Sequence, residues 1–275
     1  MPFQDTHPSP KKILAHYNIK PKKGLGQHFL MNPFTAYQIV KKIGIEKEDI
    51  VIEIGAGFGA LTIPLAENAK KVIAIEYDKR FIPILKEILK DFKNIEVWQG
   101  DALKYNYENT VLLYNKKIKI VGNLPYYLTS PLLFLFLEKK ALIKNMGFMV
   151  QKEVAERLLS PPGKKTYGLL SILYSLTANV TSLMTLAPAS FYPKPEVFSQ
   201  LIKIEWKEEI FIEKEFIEFL KYIFSHRRKT IFNILKNRFK QKNIKNIFSQ
   251  LNIDYNTRPE KVSPFLFFKL YHLIK

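Results

Sequence analysis

The sequence contains no cysteine. That absence removes disulfide scaffolds, thiolate zinc sites and cysteine nucleophiles together, and it agrees with a reducing compartment. Acid is also missing over two long stretches. From Thr6 to Ile45 there is no Asp or Glu, while Lys11, Lys12, Lys20, Lys22, Lys23, Lys41 and Lys42 all fall there. From Phe219 to Ile253 there is again none, against Lys221, Arg227, Arg228, Lys229, Lys236, Arg238, Lys240, Lys242 and Lys245. The chain as a whole carries 43 Lys and Arg against 25 Asp and Glu, a net charge of +18, and these two stretches hold nearly all of the surplus. A near-neutral middle flanked by basic segments points to a polyanionic partner. The opening MPFQDTHPSPKK has no apolar core and does not read as a signal peptide. A long uncharged stretch, Tyr167 to Pro193, is broken by Ser171, Ser175, Thr177, Asn179, Thr181, Ser182 and Pro188. It reads as a buried helix, a strand and a loop, not a membrane span.

What is present is a packed globule, with 47% hydrophobic and 13% aromatic residues. Residues 1–20 show no period and are expected to be flexible. Asn32 and Pro33 open a helix to about Ile43. An alternation follows. Short apolar strands are expected at 49–54, 71–76, 95–98, 117–121 and 146–150, with helices at 60–68, 79–92 and 131–140 between them. Strands alternating with helices imply an α/β fold with a mostly parallel sheet. Helices at 152–159 and 167–177 and strands at about 180–187 and 197–206 finish the sheet. From Glu213 the pattern is helical, with breaks near Gln241, Asn252 and Pro264. Two domains are therefore expected: 1–208, and an all-helical 209–275.

Glu53-Ile-Gly55-Ala-Gly57-Phe-Gly59 stands where the first strand turns into a helix. Glycines allow the tight turn and let backbone approach a ligand. Glu76 ends the next strand, where an acid can accept from both ribose hydroxyls. Asp101 follows the third, where it can bond an adenine amine. A crevice with acids and no Lys or Arg near its glycines would repel a pyrophosphate. It suits a cationic, phosphate-free nucleoside, which favours S-adenosylmethionine over NAD.

The fourth strand ends in Gly122-Asn123-Leu124-Pro125-Tyr126-Tyr127. The exocyclic amine of adenine is a poor nucleophile because its lone pair is delocalised into the ring. Hydrogen-bond acceptors on both amino hydrogens favour attack. The Asn123 side-chain oxygen supplies one and the Leu124 carbonyl can supply the other. Pro125 stiffens the turn and Tyr126 can stack on the base. No strong general base is required, so catalysis would rest on orientation and charge complementarity.

These motifs together resemble the KsgA family of small-subunit ribosomal RNA adenine dimethyltransferases. Gly24-Leu-Gly-Gln-His-Phe-Leu30 is similar to the family's N-terminal motif. Glu53-Ile-Gly-Ala-Gly57, Glu76, Asp101-Ala102 and Asn123-Leu-Pro-Tyr126 resemble its cofactor and catalytic motifs. Gln151-Lys-Glu-Val-Ala-Glu-Arg157, Phe191-Tyr-Pro-Lys-Pro-Glu-Val-Phe-Ser199, His226-Arg-Arg-Lys-Thr-Ile231 and Arg258-Pro-Glu-Lys-Val-Ser263 continue the likeness to the C-terminal part. Glu196 departs from it, standing where a base is expected.

The resemblance implies a Rossmann-like class I methyltransferase sheet with a small helical C-terminal domain. It implies that Gln27, His28 and Leu30 close over the cofactor. Glu53, Gly55, Gly57, Gly59, Glu76, Tyr77, Asp101, Ala102 and Asn123 would hold it, and Phe191 would face Tyr126 across the target base. It implies N6 dimethylation of two adjacent adenosines in the 3′-terminal hairpin of 16S rRNA, in the immature 30S subunit, by a cytoplasmic monomer without metal. Lys22, Lys23, Arg227, Arg228, Lys229, Lys236 and Arg238 are the candidate RNA contacts. Other readings stay open at this level: a 23S rRNA dimethylase, a DNA adenine methyltransferase, or an assembly factor that kept the fold without the activity. His28 and Phe191 also have a bland reading as packed side chains.

Overall fold

The computed structural model describes residues 9–207 and 210–275. Residues 1–8 of the expected flexible segment, the expected domain boundary at Glu208, and the side chain of Lys23 lie outside the described residues. The chain divides into two compact units. One comprises residues up to Lys152 with Thr181–Glu205; the other comprises Glu153–Val180 with Trp206–Lys275.

In chain order the first unit opens with α1 (Pro10–His16), β1 (Phe29–Leu30) and α2 (Pro33–Ile43). The looseness expected of the first residues does not extend to α1. Pro10 starts a helix whose Ile13 and Leu14 are buried against Phe29, Phe58 and Phe81. A seven-residue helix is marginal alone, and tertiary packing holds this one. In α2, Asn32 caps the start by accepting from the Phe34 N–H at 2.9 Å, and Gly44 ends it in the left-handed region.

The alternation then follows: β2 (Ile50–Ile54), α3 (Thr62–Asn68), β3 (Lys71–Glu76), α4 (Ile82–Ile88), β4 (Ile95–Gln99), α5 (Tyr107–Tyr114), β5 (Ile118–Asn123), α6 (Tyr126–Glu138) and β6 (Ile143–Gln151). Next come α7 (Lys152–Leu158), α8 (Leu169–Thr177), β7 (Ala178–Leu186), β8 (Phe191–Tyr192) and β9 (Ser199–Trp206). The seven-stranded sheet runs β4-β3-β2-β5-β6-β9-β7. From β4 to β6 it is parallel, and β9 returns antiparallel beside β6. β2 is buried along its whole length, as a central parallel strand covered on both faces must be. The chain builds outward from β2 to β4 and then restarts at β5 on the other side. The order therefore reverses between β2 and β5, and ligands of open α/β sheets bind at the strand ends beside such a reversal.

Helix α6 corrects the sequence reading. It begins at Tyr126, not at Pro131, so both tyrosines of the motif sit in its first turn and Pro131 lies inside it. A second, two-stranded sheet pairs β1 with β8: Phe29 opposes Tyr192 and Leu30 opposes Phe191. This ladder joins the N-terminal motif to the late Phe191–Ser199 motif.

The second unit holds α7, α8 and the helices α9 (Lys214–Ser225), α10 (Ile231–Arg238), α11 (Ile244–Gln250) and α12 (Pro264–Ile274). Residues 153–180 thus belong with the C-terminal helices, whereas the expectation divided the chain at 208. The reason is packing: α8 lies against α9 and α12, and the Tyr167 hydroxyl donates to the Val262 carbonyl at 2.8 Å. The helical stretch from Glu213 also has a break that the sequence reading omitted, the turn of His226–Thr230 between α9 and α10.

Candidate active site

The glycine loop after β2 is shaped by its neighbours on β3. The Gly55 and Ala56 N–H groups donate to the Ile75 carbonyl at 2.9 and 3.1 Å. Gly57 takes φ 55, and a Cβ there would press on the Phe29 ring at 3.1 Å. Both features require glycine. The Gly57 N–H donates to Glu76 Oε2 at 2.8 Å, and the Asp78 N–H donates to Oε1 at 2.7 Å. Glu76 is thus fixed by backbone on both oxygens. Burial raises its pKa, and those two hydrogen bonds oppose the shift.

These groups line a cleft that encloses about 630 Å³ of space, part of it open to solvent. Gln27, His28, Gly55, Gly57, Glu76, Tyr77, Ala102 and Asn123 are among its walls. Asp101 sits between two wall residues, Gly100 and Ala102, and its carboxylate accepts from the Leu103 N–H at 2.9 Å. Tyr77 is 57% exposed at the rim. A smaller recess of about 370 Å³ shares His28, Gly55, Gly57 and Asn123 with the cleft and adds Glu53.

Glu53 is fully buried, with the Thr62 hydroxyl donating to it at 2.5 Å. Desolvation drives its pKa up to about 8, further raised by the Glu76 charge and opposed by the Thr62 bond. It ties β2 to α3 and lines the smaller recess, not the main cleft. Gly59 and Leu30 also lie off the main cleft: Gly59 packs toward Leu85, and Leu30 joins the apolar core. Phe191 is a further correction. It is 4% exposed in that same core with Leu201 and Met149, because its pairing with Leu30 turns it inward, and it offers no ring face to the cleft. The expected absence of bases near the glycines also needs amending. Arg80 lies in the loop after Glu76, paired with Asp78 at 2.6 Å.

The turn from Asn123 to Tyr126 is held from two sides. Asn123 ends β5, and its Nδ2 donates to the His28 carbonyl at 2.7 Å, which leaves Oδ1 as the free acceptor end. The Leu124 N–H donates to the Met149 carbonyl at 3.0 Å. Gly26 lies over Pro125 and Tyr126, where a Cβ would meet both at 3.4 Å. The His28 ring stacks on Tyr126, with centroids 5.7 Å apart at 30°, and its Nδ1–H donates to the Pro193 carbonyl at 2.7 Å. The Tyr126 hydroxyl bonds Ser199, and burial raises its pKa. The three motifs therefore meet at one point, and each supplies a hydrogen bond that orients another.

The profile of the ribosomal RNA adenine dimethylase family matches residues 18–275. The chain belongs to the ribosomal RNA adenine dimethylase family. It is 42% identical to the ribosomal RNA small subunit methyltransferase A of Syntrophus aciditrophicus over 236 residues, 82% of this chain and 83% of that one. It is 40% identical to the protein of the same name from Clostridium botulinum over 259 residues, 92% and 94% of the two chains. Among solved structures, a dimethyladenosine transferase from Plasmodium falciparum superposes with a TM-score of 0.78 at 31% identity, covering 88% of this chain and 96% of that one. The 23S rRNA methyltransferase ErmE, at 0.70 and 21% identity over 90% and 99%, shares the class I methyltransferase fold.

Exposed bases of the second unit gather in one place. Arg227, Arg228 and Lys229 occupy the turn after α9. Three loops converge there: the Arg227 guanidinium donates to the Lys165 carbonyl at 3.3 Å, the Ile231 N–H to the Thr257 carbonyl at 2.9 Å, and the Gly163 N–H to the Glu260 carbonyl at 2.7 Å. Lys164, Lys165, Arg258 and Lys261 thereby join the cluster, and sequence distance had hidden them. Lys236 is exposed on α10, whereas the Arg238 guanidinium lies over the Tyr222 ring at 4.0 Å. In the first unit, the exposed Lys22 donates its backbone N–H to Gln27. Among the described residues no cluster could hold a metal ion, and no helix is long and apolar enough to cross a membrane.

Proposed function

We propose that this dimethylase transfers two methyl groups to N6 of each of two adjacent adenosines in the 3′-terminal hairpin of 16S rRNA, during small-subunit assembly in the cytoplasm. The observation that carries this reading is the Asn123 amide, held by its nitrogen on the His28 carbonyl. Its oxygen is then presented to accept one amino hydrogen of adenine, and the Leu124 carbonyl accepts the other. With both hydrogens bonded, the nitrogen lone pair is drawn out of the ring and becomes nucleophilic. Pro125 keeps the two acceptors in register, and Tyr126, held by Ser199 and His28, gives the flipped base a stacking face. These groups are preorganised, so little reorganisation accompanies the reaction.

The cleft fits S-adenosylmethionine. The nearby Arg80 guanidinium is already paired with Asp78, and Gly55 and Gly57 present bare backbone on the cleft wall. Glu76 would hold the ribose, Asp101 the adenine amine, and Gly55 and Gly57 the amino-acid end. The bound cofactor supplies the electrophilic methyl group. Arg228, Lys229 and the neighbouring lysines would contact RNA phosphates, and the protein is read as acting as a monomer.

Incubating the protein with labelled cofactor and immature 30S particles should place label on two adjacent adenosines near the 16S 3′ end. Asn123→Ala should lower kcat by about 10²–10³-fold, as loss of one preorganised hydrogen-bonding group does elsewhere. Label appearing only on 23S RNA, or full activity in Asn123→Ala, would refute the reading.

A further inference from the structure

Two residues beyond Glu76 lies an acid that the methyl transfer does not require. The Asp78 side chain is almost fully buried. Its Oδ2 accepts from Gln27 Nε2 at 2.9 Å and from the Arg80 guanidinium at 2.6 Å. Its Oδ1 accepts from Arg80 Nε at 2.9 Å and from the Arg80 backbone N–H at 3.2 Å. The Arg80 bonds, reinforced by Gln27, hold the carboxyl down at about 2, so it is ionised at any working pH.

The partners matter more than their number. Gln27 Oε1 accepts from the Lys22 N–H at 2.7 Å, and the Arg80 guanidinium also reaches the Lys20 carbonyl at 3.2 Å. The segment 20–27 is thereby fastened to the loop that carries Glu76, whose Oε1 accepts from Asp78's own N–H. The next residue, His28, holds the Asn123 amide. A continuous path runs from the ribose acid through Asp78 and Gln27 to the catalytic amide, every step a hydrogen bond or a single peptide link.

We propose that Asp78 is a positioning residue: it clamps segment 20–27 over the cofactor cleft and, through Gln27 and His28, sets the orientation of Asn123 when the cleft is filled. The inference rests on the methyltransferase reading above and adds the residue that couples its two halves. An acid here that served only local stability would leave the exchange of segment 20–28 insensitive to cofactor.

The test uses the full chain and four variants: Asp78→Ala, Asp78→Glu, Gln27→Ala and the double alanine. Gln27→Ala leaves the Asp78–Arg80 pair whole, so it decides the matter even if Asp78→Ala melts early. Two measurements are made, steady-state methylation of 30S particles and amide hydrogen exchange over residues 20–28 with and without S-adenosylmethionine. In the unaltered protein, cofactor should slow that exchange. In Gln27→Ala and Asp78→Ala it should not, and kcat should fall about ten- to hundred-fold with KM for RNA unchanged. Asp78→Glu should recover part of the loss, and the double variant should be no worse than the more impaired single one, because both act through one bond. A kcat within about two-fold of the unaltered protein, cofactor-dependent exchange surviving in the variants, or multiplicative losses in the double variant would each overturn the proposal. Should the unaltered protein methylate no RNA, the functional reading fails, while the exchange measurement still decides the clamp.

Discussion

The side chains around the glycine loop divide by what burial does to them. Glu53 and Glu76 stand on adjacent strands, yet only Glu76 receives backbone donors on both oxygens. Glu53 has a threonine hydroxyl and little else, so desolvation dominates and its proton leaves only near pH 8. In the unfolded chain the same proton leaves near 4.5. Between those values the unfolded state binds fewer protons than the folded one, so stability falls as pH rises through that window. Glu53→Gln removes the ionisation and keeps an acceptor for Thr62. Its melting temperature should therefore exceed that of the unaltered protein at about pH 8.5 and vary less between about pH 5 and 8.5. Parallel melting curves would show that the carboxyl ionises as freely in the fold as outside it. The places of Glu76 and Asn123 at the ends of β3 and β5, on the wall of the cleft, were legible in the sequence because apolar runs mark where strands stop. Asp78 was not, since an acid near a strand end carries no mark of what it will bond. Phe191 was misread because a ring in a loop motif looks available until its strand partner is known.

At the level of elements, the regular parts were readable and the short ones were not. β2, β3 and β5 are short, mostly apolar runs, and glycine or asparagine marks the ends of β2 and β5. The β1–β8 ladder has two residue pairs and therefore no period to detect. Helix α5 escaped because Leu112 and Leu113 face outward at 78% and 70% exposure, which erases its amphipathic pattern. The turn of His226–Thr230 escaped because it contains no glycine or proline. Helix α1 was missed because residues 1–20 show no period, yet it supplies the outer layer of the Phe29, Phe58 and Phe81 cluster that backs the glycine loop. Ile13 is completely buried there. Ile13→Ala should cost about 2–4 kcal/mol if the site does not collapse. The loss should appear in urea denaturation as a lower midpoint with an unchanged slope. Weakened cofactor binding should accompany it, because Phe29 contacts Gly57. A cost below about 0.5 kcal/mol would mean that α1 is dispensable to the cluster.

For the whole molecule, the sequence reading of charge held in outline and shifted in detail. The acid-free stretch after Phe219 is a basic surface in the second unit, where the exposed Arg238 stacks on Tyr222 and Lys164, Lys165, Arg258 and Lys261 come in from other loops. RNA affinity should fall linearly in logarithm with salt, each phosphate contact adding about 0.7–0.9 to the slope. Replacing Arg228 and Lys229 by alanine should flatten the slope by about 1.5, and adding Lys164→Ala should flatten it further. A slope unchanged by all three would remove this surface from the interface. The pairing of β1 with β8 has a consequence for how the protein is made. His28 and Pro193, which it brings together, are 165 residues apart. A chain emerging from the ribosome can lay down β2 to β6 and the floor of the cleft early, yet it has no roof until β8 has been synthesised and has found β1. Closing so long a loop is entropically costly and comes late. An incomplete or truncated chain can therefore display the glycine loop while lacking the β1–β8 ladder that seats His28 between Pro193 and the Asn123 amide.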